Sequence, residues 1–123
     1  MEDYACRGGM MMKELPMTVW RRKADGSVET AVVDLVHDVL FVSESEDHRL
    51  TLHTRAGEYR MLSDLEQLER CVPGYLLTDA GNVVNLRRAK QFDRDKLRIS
   101  FEGGTETASV AAICKDLTRE LLQ

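Results

Sequence analysis

Few side chains in this chain could do chemistry: three histidines (His37, His48, His53), three cysteines (Cys6, Cys71, Cys114) and a run of bases in the second half. A structural or catalytic zinc needs closely spaced Cys and His ligands, and the histidines stand in no such spacing with Cys71 or Cys114. His37-Asp38 and Asp47-His48 are adjacent pairs, and neighbours on a strand point to opposite faces, so neither makes an acid–base dyad. No glycine-rich loop precedes a helix carrying a phosphate-binding lysine, and no Ser-His-Asp order stands out. The expectation is therefore no catalytic residue, no metal ligand and no cofactor. Three scattered cysteines are too few for a disulfide framework, and Cys71 and Cys114 read as small core residues.

Charge is more informative in its distribution than in its sum. The net of −4 argues against a generally basic nucleic-acid binder. Residues 34–82 hold ten acids against four bases, whereas residues 83–98 hold six bases against two acids. That basic stretch (Arg87, Arg88, Lys90, Arg94, Lys96, Arg98) fits either a phosphate-binding stripe or a solvated strand and turn.

At 123 residues the chain suits one domain. No apolar run approaches the roughly 20 residues that span a bilayer, and no secretory signal opens the chain, so no membrane association and a cytoplasmic location are expected. Residues 1–16 have neither a helical nor a strand period and read as a flexible tail, leaving 17–123 as the single domain.

Within that domain the pattern is mainly β. Thr18–Arg21 is strand-like, and Asp25-Gly26 signals a two-residue hairpin before a strand near Thr30–Val33. Val39–Val42 is apolar. Residues 48–54 alternate, with His48, Leu50, Leu52 and Thr54 on one face and Arg49, Thr51 and His53 on the other, as in a half-buried strand. Ser63 with Glu66 forms a capping box for a helix over about 63–72, which Pro73-Gly74 ends. Tyr75–Leu77 and Val83–Leu86 read as buried strands. Leu97, Ile99 and Phe101 alternate, and Ser109 caps a final helix over about 109–122 with Val110, Ile113, Leu117 and Leu121 on one face.

Several short segments carry a family resemblance: His48-Arg49-Leu50 at a strand start, Leu62-Ser63-Asp64-Leu65-Glu66-Gln67-Leu68, Val83-Val84-Asn85 and Ala108-Ser109-Val110. In this order the chain resembles the LytTR family of bacterial DNA-binding domains over roughly residues 17–122. The resemblance implies an elongated arrangement of antiparallel sheets with two short helices. It also implies a transcription regulator whose loops enter successive major grooves of a direct-repeat DNA site. One compact domain with few contacts gains specificity mainly by binding in pairs, so a homodimer on the DNA is a further expectation. Within these 123 residues, no phosphoreceiver domain of the kind that many members carry is expected.

The DNA-binding residues implied are His48 and Arg49 in a first loop, Thr78 and Asn82 in a second, and Ser109 and Lys115 in a third. Imidazole and guanidinium can donate to guanine O6 and N7. The chain departs from the family pattern in the second loop, with Leu77 in place of an arginine, Asp79 in place of a histidine and Ala80 at a frequent contact position. In the third loop Val110 and Ala111 follow Ser109 where an arginine is usual. With the acids at 44–47, these departures favour an alternative, a protein-interaction module or modulator of the same fold that contacts a protein partner without binding DNA specifically.

Overall fold

A computed structural model describes residues 13–46, 48–116 and 118. The flexible tail expected over 1–16 lies almost wholly outside them, as does the end of the last helix. Among the described residues ten strands run in chain order: β1 Pro16–Arg22, β2 Val28–Asp34, β3 Val39–Glu46, β4 Arg49–Thr54, β5 Gly57–Leu62, β6 Tyr75–Asp79, β7 Asn82–Asn85, β8 Ala89–Asp93, β9 Arg98–Phe101 and β10 Thr107–Ser109. One α-helix, α1 (Leu65–Cys71), separates β5 from β6. Seven strands form one sheet in the order β2-β1-β5-β4-β3-β7-β6, and three form a second in the order β10-β9-β8. The pairings are antiparallel throughout.

Alternation along the strands divides the apolar residues between two cores. Val42, Leu52, Tyr59 and Val83 are cross-strand neighbours, so they share a face of the large sheet. That face packs with Leu65, Leu68 and Val72 around α1. Phe41 and Val84 pair on the opposite face and pack with Ile99, Phe101, Ala108 and Val110 of the small sheet and the segment after it. Strand β4 therefore departs from the half-buried expectation: Leu50, Thr51, Leu52 and His53 are all buried. Its second face is covered because the Phe41 ring stacks on both His53 (4.0 Å) and Phe101 (5.3 Å).

Local capping also differs in detail from the sequence pattern. Asp64, not Ser63, is the N-cap of α1, its carboxylate accepting from Gln67 N–H at 2.8 Å. The β1–β2 loop is three residues rather than two. Lys23 N–H donates to Ser27 C=O, Gly26 N–H donates to Lys23 C=O, and Gly26 takes φ +90, which glycine adopts without strain. Ser109 lies in β10, and the final helix begins instead with a 3-10 turn at Ala112–Cys114. Cys71 is disulfide-bonded rather than a free core thiol, while Cys114 is free.

The β2–β3 turn is fixed by buried side chains from β6 and β7. Tyr75 Oη donates to Leu35 C=O at 2.6 Å, and Asn85 Nδ2 donates to both Val36 C=O (2.9 Å) and Val39 C=O (2.8 Å). At the same corner Asp34 accepts from Leu15 N–H, Val36 N–H and the His37 ring. Burial pushes the Asp34 carboxyl upward, but these donors outweigh it and hold its pKa below the ordinary 3.8. A carboxylate depressed on folding stabilises the fold above its unfolded pKa and loses that contribution as pH falls through the folded value. Urea titrations at about pH 5 and about pH 3 are expected to show this loss, and Asp34→Asn is expected to show a smaller difference between the two.

Candidate nucleic-acid interface

Three loops meet at one end of the large sheet. The last pair between β3 and β7 is Ser43 with Asn82, whereas β3 and β4 continue pairing as far as Glu46 with Arg49. The β3–β4 hairpin therefore continues roughly 10 Å past the last β3–β7 pair, at about 3.3 Å per residue. Glu44 N–H donates to Gly81 C=O at 3.0 Å, which ties the hairpin to that turn. The third loop joins through Ala111 N–H, which donates to Thr78 C=O at 2.6 Å.

The side chains singled out from sequence divide into two groups. Thr78 is fully buried, and its hydroxyl donates to Ser109 C=O at 2.9 Å. Asn82 Nδ2 donates to Ser109 Oγ, which in turn donates to the Asp79 carboxylate, both at 2.5 Å. Thr78, Asn82 and Ser109 thus hold the second and third loops to each other, and Thr78 cannot reach a base while buried. Asp79, which reads from sequence as a departure from the family pattern, is the acceptor that completes this chain of hydrogen bonds.

His48, Arg49 and Lys115 are the exposed group. His48 sits at the hairpin tip with φ 63, the left-handed region, and its C=O accepts from Ser63 N–H at 2.9 Å. Histidine enters that region more readily than bulky or β-branched residues do. Among the described residues, the Arg49 and Lys115 side chains make no hydrogen bond or ion pair, so their charges are available to a ligand. Ala80 is exposed and Ala111 half-buried, so positions 48, 80 and 111 all lie toward the surface of this end.

The topology adds cations that sequence order alone does not place. Val110 N–H donates to Leu97 C=O at 2.9 Å, and Ser109 pairs with Arg98, so the β8–β9 turn lies beside the third loop. Arg94 and Lys96 on that turn are exposed. The rest of the basic stretch is divided: Arg98 donates to Thr107 and Arg87 to Pro73 C=O, while Lys90 is exposed on β8. Opposing these cations are the exposed Glu44, Glu46 and Asp95.

One cluster among the described residues has a geometry that could hold a cation. His53, Glu58 and Glu106 offer ligand atoms within 4.8 Å of one another, toward the other end of β4. Here the His53 ring already bridges, with Nε2 2.9 Å from Ser43 Oγ and Nδ1 3.0 Å from Glu106. The cluster joins the segment before β10 to the large sheet.

If the Ser109 hydroxyl couples the two loops, Ser109→Ala is expected to cost about 1–2 kcal/mol by leaving Asn82 and Asp79 without that partner. Hydrogen exchange at the Ala111 amide is the direct readout and is expected to accelerate. An unchanged rate would show that backbone pairing alone holds the third loop.

The LytTr DNA-binding domain family model matches residues 30–123. No curated protein matches the chain. Among solved structures, a chain described as the LytTr DNA-binding domain of a methyl-accepting/DNA response regulator from Bacillus cereus is similar, with a TM-score of 0.68 and 18% identity. That similarity covers 87% of this chain and 95% of the other, and at such identity it speaks to the fold. Among the described residues, no helix is long and apolar enough to cross a membrane.

Proposed function

We propose that this chain, which belongs to the LytTr DNA-binding domain family, is a transcription regulator that contacts DNA through the three loops at the β3–β4 end. One observation supports this reading above the rest: loops from distant parts of the sequence are hydrogen-bonded into one surface from which His48 and Arg49 project. In this reading His48 and Arg49 meet base edges in the major groove, where imidazole and guanidinium can donate to guanine. Lys115, Arg94 and Lys96 meet phosphates. Thr78, Asn82 and Ser109 act one step back, fixing the loops that carry these donors. Repeated half-sites follow from the small number of base-reading side chains, since a single short contact surface gains specificity when two copies bind in register.

The acids of the tip favour a second reading, a protein-interaction module or modulator of the same fold. Exposed Glu44 and Glu46 and the Asp79 carboxylate lie at the very end that would approach phosphates.

Fluorescence anisotropy with a duplex from the gene's own upstream region separates the two. DNA recognition requires tighter binding to this duplex than to a scrambled one. With Lys115, Arg94 and Lys96 as the phosphate-neutralising set, the log–log salt slope should be about −3 per copy. No binding at low salt, or equal binding to scrambled DNA, would leave the protein-interaction reading standing.

A further inference from the structure

The edge of the large sheet opposite to β6 is β2, and its register with β1 fixes which of its backbone groups are free. The Lys23–Ser27 hydrogen bond closes the hairpin, so bonded and non-bonded pairs alternate from there. Glu29, Ala31 and Val33 direct their N–H and C=O groups to β1. Val28, Thr30 and Val32 direct theirs outward, and no hydrogen bond engages those groups among the described residues. Their side chains share one exposed face, with Val28 54% and Val32 67% exposed.

Edges of this kind are ordinarily blunted by proline, lysine or a bulge. The segment Val28–Asp34 contains neither residue, and its pairing with β1 has no bulge. Instead it presents β-branched side chains, which suit a paired strand.

We infer that β2 is a homodimer interface, in which two copies pair antiparallel about a two-fold axis at Thr30. This register sets Thr30 against the partner's Thr30 and Val28 against the partner's Val32. All three outward-facing residues of each copy are then used, giving six backbone hydrogen bonds. The neighbouring register, centred on Ala31, would set Val28 against the partner's Asp34, whose N–H is already bonded to Asp38 at 2.8 Å.

Charge also favours the Thr30 axis. Arg22 and Lys23 outnumber Asp25 at the turn end of β2, where the Arg22 guanidinium donates to Gly26 C=O at 3.0 Å and the Asp25 carboxylate is turned back onto Ser27. Asp34 and Asp38 lie at the other end. The two-fold brings the basic end of each copy beside the acidic end of its partner. One seven-residue strand makes a small interface, of the size found in transient association. The surface lies four strands from β3 and leaves the loop end uncovered, so it stands or fails independently of DNA recognition.

Sedimentation equilibrium of the full chain without DNA tests the inference. The average mass is expected to rise from 14.0 kDa toward twice that value as concentration increases. Val32→Lys, at an exposed position, is expected to weaken self-association roughly tenfold with an unchanged circular dichroism spectrum. Adding Val28→Glu to that variant should restore association, because this register places residue 28 against residue 32 of the partner. A wild-type chain that stays monomeric, association indifferent to Val32→Lys, or a double variant that remains as weak as the single one would each overturn the inference.

Discussion

Asn85→Leu is expected to be among the most destabilising single substitutions in the domain, at about 2–6 kcal/mol, from the about 1–3 kcal/mol that each orphaned buried carbonyl costs. Asn85 is wholly buried, and its amide nitrogen serves both Val36 C=O and Val39 C=O. Its carbonyl oxygen accepts from Arg87 N–H at 3.2 Å. Leucine fills a similar volume but donates nothing, and Val36 and Val39 are themselves buried. The β2–β3 turn would lose its anchor to β7 and the 3-10 turn at Leu86–Arg88 its cap. Urea denaturation should give a much lower midpoint at an unchanged slope. A loss below about 1 kcal/mol would mean that those carbonyls find other donors.

Asn85 also marks where sequence reading stopped. Val83-Val84-Asn85 carries part of the family resemblance, yet nothing in the sequence says whether the asparagine faces DNA or the core. Its acceptors lie 46 and 49 residues away, and only the pairing of β3 with β7 brings them together. The same limit applies to Thr78, Asn82 and Ser109. They are polar, small and in loops, which suits an outward contact as well as an inward brace. The deciding partners, about 30 residues apart in sequence, are invisible to local pattern.

What depends on near neighbours was legible. Alternation and apolar runs located most strands but not β8, whose AKQFD carries no apolar alternation, Pro73-Gly74 ended α1, and the Leu65–Leu68–Val72 stripe is the one that packs against the large sheet. The misjudged boundaries are also local, but they turn on competition between adjacent polar residues: Ser63 and Asp64 could each cap α1, and Asp64 does. Burial of both faces of β4 was not legible, because the cover over His53 comes from Phe41 and Glu106. Nor was the position of Arg94 and Lys96 beside the third loop, which is set by the β9–β10 pairing.

The second large effect belongs to recognition. Under the DNA-binding reading, Arg49→Ala is expected to reduce preference for the cognate duplex over a scrambled one by about 5- to 150-fold, the equivalent of about 1–3 kcal/mol for a lost bidentate base contact. His48→Ala should act in the same direction. Lys115→Ala, by contrast, should weaken cognate and scrambled duplexes alike and make the salt slope shallower by about one. The contrast matters more than either number. Arg49 opens β4 at the β3–β4 hairpin, while Lys115 follows the 3-10 turn Ala112–Cys114. Both are exposed, so neither substitution should disturb the fold, and matched thermal unfolding curves are the control.

In the DNA-binding reading, nucleic acid docks on one surface assembled from three loops by the bonds Glu44–Gly81, Thr78–Ser109 and Ala111–Thr78. Amide chemical-shift mapping during titration with the upstream duplex tests it most directly. Perturbations are expected to concentrate at residues 44–49, 79–82, 94–97 and 109–115, with little change at the Thr54–Gly57 turn at the opposite end of β4. Perturbations centred on that opposite end, with the three loops unaffected, would contradict that reading.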